Sequence, residues 1–310
     1  MNTSIDARAI SQAIVAAHGL RFGTNTPAAI SAGRFSSDEP VYRGAKQACT
    51  ALGFIEIDAE CLARAWRAQT VRTGAFDANQ WPETPADFGM RAFPPTERAD
   101  AFAPCPQRLG LYAVLPDAQW VGRMARAGVP TVQLRFKSDD AAATEREVHA
   151  AVDAVRGTAA LLFINDHWQV AIAAGAYGVH LGQEDLDALA PAQVQQIRDA
   201  GLRLGVSTHG YAEMVRADAV SPSYIAMGAV YPTTLKKMAT APQGVARLAA
   251  YARLLRGYSQ VGIGGIDAVR LPEVRATGVG SVAVVRALVA AEDPEAAAAQ
   301  WMAAMGAASA

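Results

Sequence analysis

A chain of 310 residues, 51% hydrophobic and 18% charged, is long enough for one large domain and a smaller one, and its composition is that of a soluble globular protein. A formal charge of −1 gives no electrostatic reason to expect nucleic acid or an anionic membrane as partner, so phosphate binding has to be a local property. Cys49, Cys61 and Cys105 form neither a disulfide framework nor a CxxC zinc site. The start MNTSIDARAISQAIVAAHGL lacks the layout of a signal peptide, and no uncharged apolar run reaches the ~18 residues of a membrane span, so the cytoplasm is the expected compartment.

From the N-terminus, Ile5, Ala9, Ile10, Ala13 and Ile14 recur at helical spacing, as do Leu62, Ala65 and Trp66, with Asp58 as a candidate cap. Residues 1–81 therefore read as a helical extension, with His18 on a helix surface. Pro82, Pro85, Pro94, Pro95, Pro104 and Pro106 then fall within 25 residues, and 82–107 reads as a linker or extended surface segment.

Over 108–310 the texture changes. Candidate strands are LGLYAVL (109–115), TVQLRFK (131–137), ALLFIN (160–165), YGVHLG (177–182), RLGVS (203–207), SYIAMG (223–228), SQVGIGG (259–265) and GSVAVV (280–285). Helix candidates alternate with them at 117–127, 139–155, 166–174, 191–200, 210–219, 243–256 and 267–276, and a last one spans 286–305. Short strands apolar on both faces, alternating with helices, make a parallel sheet, and eight such units close into a (β/α)8 TIM barrel. A doubly wound open sheet is the competing α/β topology, but no GxGxxG follows the first strand.

Barrels of this kind carry their sites at the C-terminal strand ends, and those ends are the polar ones here. Strand two closes with Gln133, Arg135 and Lys137, alternating with Val132, Leu134 and Phe136, so the polar three share one face. An unpaired cation against the outer helices is costly, which directs Arg135 and Lys137 to the barrel mouth. On this stretch alone, a structural ion pair with Asp166 or Asp185 competes evenly with an anion site. Asn165 and Asp166 end strand three, and Asp166 alone also fits a helix N-cap. Strand four runs out in GVHLGQED, where Asp185 faces Asp166 from the next strand and Glu184 reads as solvated. Two carboxylates facing two cations suit a magnesium ion carrying a diphosphate between them. Ser207 and His209 close strand five, and YPTTLKK follows strand six. GIGGID after strand seven is a candidate phosphate cradle running into a helix, with Arg286 nearby. His180, mid-strand, reads as a satisfied core residue, His149 as a surface one, and no cysteine or serine has the setting of an activated nucleophile.

The stretches VQLRFK, LFINDHWQVAIAAGAYGVHLGQED, LGVSTHG, YIAMGAVYPTTLKK, APQG, GIGGI and GSVAVV, in this order over about 108–292, resemble the thiamine phosphate synthase (thiamine-phosphate diphosphorylase) family. The resemblance implies a TIM-barrel transferase that joins 4-amino-2-methyl-5-hydroxymethylpyrimidine diphosphate to a thiazole phosphate and releases diphosphate. It implies that Gln133, Arg135, Lys137, Asn165, Ser207 and Lys236 hold the pyrimidine diphosphate, with Arg135, Lys137 and Lys236 stabilising the departing charge. It also assigns Mg2+ to Asp166 and Asp185, and the thiazole phosphate to Thr233 and its loop, Gly265, Val285 and Arg286. The implied partners are these two small molecules, with no nucleic acid or membrane, and a homo-oligomer is compatible with the sequence. Two positions depart from the family pattern: Leu235 replaces a hydroxyl residue of the PTxTK loop, leaving Thr234 as the nearest substitute, and Arg286 stands where Ser is usual. A thiazole tautomerase-like isomerase and a non-catalytic ligand-binding or regulatory relative are the alternatives. Retention of Arg135, Lys137, both aspartates and Lys236 argues for the synthase.

Overall fold

The computed structural model describes residues 6–23, 35–91, 95–233 and 241–306. They group into two compact units, Met1–Ala92 with Gly210–Ala219, and Phe93–His209 with Val220–Ala310.

The first unit contains α1 (Ala7–Phe22), α2 (Pro40–Ala51) and α3 (Glu56–Thr73). Proline opens α2 at its first turn, where the missing N–H costs nothing, and Gly74 closes α3 in the left-handed region at φ 79°. The buried stripe of α1 is Ile10, Ile14 and His18, spaced by one helical turn. His18 is thus a core residue, not the surface one expected: its Nε2 lies 2.9 Å from Ala78 O and its ring meets Trp81 edge-on at 4.9 Å. Burial lowers its pKa. Phe22, Phe54 and Trp66 complete this aromatic core. Asp58 does not cap its own helix, whose N-cap is Ile55. Its Oδ1 instead accepts from Ala212 N at 2.9 Å, at the start of the helix Tyr211–Ala219, which belongs to this unit. In the same helix Tyr211 is fully buried, accepts from Trp81 Nε1 at 2.9 Å and stacks on Phe88 at 5.2 Å. The prolines of the following stretch open single 3-10 turns at Pro85 and Pro95, and Pro85 and Phe88 are buried.

The second unit is a closed, all-parallel barrel in chain order: β1 (Leu111–Leu115), β2 (Thr131–Leu134), β3 (Leu161–Asn165), β4 (Gly178–Leu181), β5 (Arg203–Thr208), β6 (Tyr224–Met227), β7 (Ser259–Gly262) and β8 (Ser281–Val284). Closure comes from β8 pairing with β1, Leu111 opposite Val282. The open-sheet alternative is thereby excluded. Helices follow the strands as the alternation predicts, with three differences. The strand TVQLRFK ends at Leu134, so Arg135 and Lys137 lie just past it. A six-residue helix, Gln183–Ala188, follows β4 directly. The last helix is broken into Arg286–Val289 and Pro294–Gly306. Asp293 caps the second piece through Ala296 N at 3.0 Å, and Pro294 cannot continue the first.

Inside the barrel, Tyr112, Phe163, Tyr224 and Val261 pack with Leu109 and Ala226. The rings fit because their neighbours in register are small: Gly178 stands opposite Phe163, and Gly205 opposite Tyr224. A Cβ on Gly205 would lie 2.1 Å from Cζ of Tyr224, and one on Gly178 would lie 2.5 Å from Cε1 of Phe163. The glycines of YGVHLG and RLGVS are therefore packing choices, since neither has a left-handed backbone. Gly205→Ala is expected to destabilise the protein by on the order of 3 kcal/mol through overpacking. Urea denaturation checks this; a loss under about 1 kcal/mol would mean that the lumen yields easily.

Candidate active site

The C-terminal ends of the strands bring most of the candidate residues to one rim. Gln133 is buried on β2, 4% exposed, and its Nε2 donates to Tyr112 Oη at 2.9 Å. Beyond the strand, Arg135 N donates to Leu115 O at 2.8 Å, which extends the β1–β2 ladder by one residue and keeps the inward alternation going. The Arg135 side chain is half-buried and Lys137 is exposed.

Asn165 is buried at the end of β3, in register with His180. Asp166 follows at φ 65°, in the left-handed region that among L-residues mainly Asn and Asp adopt. It is not a helix N-cap; that position is taken by His167, which makes no side-chain capping bond. The Asp166 peptide is held instead by its own N–H donating to His180 O at 3.0 Å. This turned backbone serves to aim a carboxylate.

The Asp166 carboxyl titrates above its ordinary value. Burial is the largest cause, the Asp185 carboxylate the next, and Lys137, His167 and Arg135 act in the opposite sense. The two aspartates and the two cations therefore share one electrostatic environment. Among the described residues no ion pair joins Arg135 or Lys137 to either aspartate, which removes the purely structural salt-bridge reading. Asp185 is exposed in the first turn of the short helix, and its Oδ2 accepts from Gly182 N at 3.2 Å. Glu184 is exposed, the solvated residue expected.

Ser207 lies on β5, its Oγ 2.8 Å from His180 Nε2, and its carbonyl accepts from Gln183 Nε2 at 2.7 Å. His180 is the satisfied core residue expected.

Two further loops meet beside this group. Val230 N donates to Ile263 O at 2.9 Å and Tyr231 N to Gly264 O at 3.0 Å, so the chain leaving β6 runs along the end of β7. Gly264 and Gly265 turn with φ of 92° and 68°, and a Cβ on Gly265 would lie 2.6 Å from Pro232 O. Only glycine permits this approach, which brings Gly265 against the backbone of Tyr231 and Pro232. Arg270 ties the pair, its Nη1 donating to Gly265 O at 2.7 Å and its guanidinium 4.6 Å from the Tyr231 ring centre. The glycine turn does not run straight into a helix as expected, because the next helix begins only at Leu271. Val285 precedes the short helix Arg286–Val289, and Arg286 is exposed. Thr234, Leu235 and Lys236 lie outside the described residues.

Two residues escaped the sequence reading, Tyr112 and Tyr224, whose hydroxyls meet at 2.7 Å in the lumen. The signal was present in the alternation, since a tyrosine facing inward has to find a partner for its hydroxyl.

The family model for thiamine monophosphate synthase matches residues 111–288. The thiamine-phosphate synthase of Neisseria meningitidis serogroup B is 53% identical over 195 residues, 63% of this chain and 94% of that protein. That of Cronobacter sakazakii is 53% identical over 192 residues, 62% of this chain and 90% of the relative. Among solved structures, a thiamine phosphate pyrophosphorylase from Pyrococcus furiosus superposes with a TM-score of 0.56 at 27% identity, covering 64% of this chain and 95% of that one. The family model leaves the N-terminal helices uncovered.

The raised Asp166 carboxyl has a measurable consequence for stability. A group raised on folding contributes stability below its ordinary range and loses it as pH rises through the raised value. Asp166→Asn removes that loss and tolerates the same backbone. In chelator, the variant is expected to melt above wild type at about pH 8 and level with it near about pH 3. Equal melting temperatures at about pH 8 would contradict the electrostatic description.

Proposed function

The chain belongs to the thiamine monophosphate synthase family, and on that premise we propose that its barrel rim carries out the family's condensation with the residues just described. The protein is a transferase of thiamine biosynthesis that forms thiamine phosphate from 4-amino-2-methyl-5-hydroxymethylpyrimidine diphosphate and 4-methyl-5-(2-phosphoethyl)thiazole, with release of diphosphate. The observation that carries the site assignment is the Asp166–Asp185 carboxylate pair, set in the same environment as Arg135 and Lys137.

In this reaction the bond from the pyrimidine methylene carbon to the diphosphate oxygen breaks, its electron pair leaving with the diphosphate. The lone pair of the thiazole nitrogen forms the new C–N bond. The pyrimidine ring can delocalise the positive charge left on the methylene carbon, so departure runs ahead of attack and no protein nucleophile is needed. The cysteines agree with this: burial pushes the Cys61 and Cys105 thiols up to about 12, far from thiolate formation at neutral pH.

The chain's contribution is to hold two substrates in line and to stabilise the charge that develops on the leaving group. Arg135 and Lys137 take the diphosphate oxygens, together with Lys236, while Gln133, Asn165 and Ser207 complete the hold on the same pyrimidine diphosphate. Thr233, Thr234, Gly265, Val285 and Arg286 take the thiazole phosphate, where the meeting of the β6 and β7 loops supplies the cradle. At Arg286 a long guanidinium replaces a short hydroxyl, so contact there comes from further away.

Asp166 and Asp185 fit a magnesium ion. They are hard oxygen donors that follow the adjacent strands β3 and β4, and burial together with the nearby Asp185 carboxylate leaves Asp166 short of positive charge. Bound there, Mg2+ would offset charge on the diphosphate as it leaves. With this reading go two small-molecule partners, a cytoplasmic setting and a compatible homo-oligomer. No described helix is long and apolar enough to cross a membrane.

Diphosphate release by the intact chain, measured with both substrates and with Mg2+ or chelator, tests the assignment. Release is expected only with both substrates and Mg2+, and Asp185→Ala is expected to lower it by at least on the order of 100-fold with circular dichroism unchanged. A wild-type rate in Asp185→Ala would falsify the metal assignment.

A further inference from the structure

One unbroken series of hydrogen bonds crosses the barrel beneath the rim. Gln133 Nε2 lies 2.9 Å from Tyr112 Oη, which lies 2.7 Å from Tyr224 Oη. Tyr224 Oη is 2.7 Å from His180 Nδ1, and His180 Nε2 is 2.8 Å from Ser207 Oγ. The five side chains come from β2, β1, β6, β4 and β5. Tyr112 is 1% exposed and Tyr224 0%, so neither hydroxyl has access to water. Packing alone does not call for these oxygens, since phenylalanine rings would fill the same space without a buried polar atom to satisfy.

The proton order follows from chemistry. An amide nitrogen only donates, so Tyr112 accepts from Gln133. The one proton of Tyr112 then goes to Tyr224, its other hydrogen-bond partner among the described residues. Were Tyr224 to donate to Tyr112 instead, the Tyr112 proton would be buried without an acceptor, a cost comparable to a lost hydrogen bond. Tyr224 accordingly donates to His180 Nδ1. Neutral imidazole then carries its proton on Nε2 and donates it to Ser207 Oγ. Ser207 accepts within the protein, and its own hydroxyl proton is directed elsewhere.

We propose that Tyr112, Tyr224 and His180 are positioning residues that lock Ser207 as a hydrogen-bond donor to the anionic leaving group and fix the Gln133 amide at the other end of the same series. The proposal rests on the assignment of Gln133 and Ser207 to the pyrimidine diphosphate. Gln183 supplies a second hold, through the Ser207 carbonyl. Locking matters because a serine hydroxyl free to rotate spends part of its time as an acceptor facing a negative charge, whereas a preorganised donor costs nothing to reorient during reaction.

The test is a double-mutant cycle on the full chain with both substrates and Mg2+. Tyr224→Phe removes one oxygen from the middle of the series. Its kcat is expected to fall about tenfold, close to the loss in Ser207→Ala, with the KM for the thiazole phosphate unchanged. The double variant is expected to be no slower than Ser207→Ala alone, because the tyrosine acts through the serine. Losses that multiply, or a wild-type rate in Tyr224→Phe, would overturn the proposal. If Tyr224→Phe does not fold, His180→Gln, cut next to Ser207, decides by the same cycle. A wild-type rate in Ser207→Ala would instead remove the assignment of Ser207 on which the proposal stands, an outcome distinct from a failed series behind a working serine.

Discussion

An eight-stranded barrel stands only if its lumen is filled, and alternation along each strand decides which side chains do the filling. Here the volume comes from Tyr112, Phe163 and Tyr224, and the space for their rings from Gly178 and Gly205 in register beside them. Everything above this floor inherits its direction from it. Gln133 projects inward because Thr131 does, and Arg135 continues the same alternation past the strand end, where the lumen opens and a cation can stand. Ser207 follows Gly205 on β5, as His180 follows Gly178 on β4. The packing layer and the polar rim are consecutive floors of one structure, joined by hydroxyl groups that belong to both.

At the rim the protein accepts electrostatic strain. Burial and the nearby Asp185 carboxylate raise the cost of ionising Asp166, and no direct ion pair with Arg135 or Lys137 relieves it. A fold selected for stability alone would have closed those pairs. On the proposed function, keeping the charges apart leaves both the cations and the carboxylates available to a ligand that carries the complementary charges, and stability lost in the empty site would become affinity in the filled one.

Much of this was legible in the residues. The eight strands, the closed parallel topology and the polar C-terminal ends all follow from short apolar runs alternating with helical stretches. What escaped reading has physical reasons. The β2 end ran two residues past the true ladder, because Phe136 keeps the apolar alternation going where pairing has stopped. Asp58 looked like a local cap, yet its partner is Ala212, 154 residues away. His18 looked exposed because histidine is usually polar surface, and only its spacing from Ile10 and Ile14 gave it away. The Tyr112–Tyr224–His180 series joins strands far apart in sequence, and no local pattern encodes contacts of that kind.

The helix Tyr211–Ala219 belongs to the barrel by chain order and to the N-terminal helices by packing. Its buried face, Tyr211, Met214, Ala217 and Asp218, is matched by Trp81, Phe54, Phe88 and the peptide of Arg91. The extension is therefore not an appendage that can be shed to recover a minimal enzyme. Asp58, Phe54, Trp81, Phe88 and Arg91 meet one crossover helix of the catalytic fold, so a change on either side of that shared core has to be matched on the other.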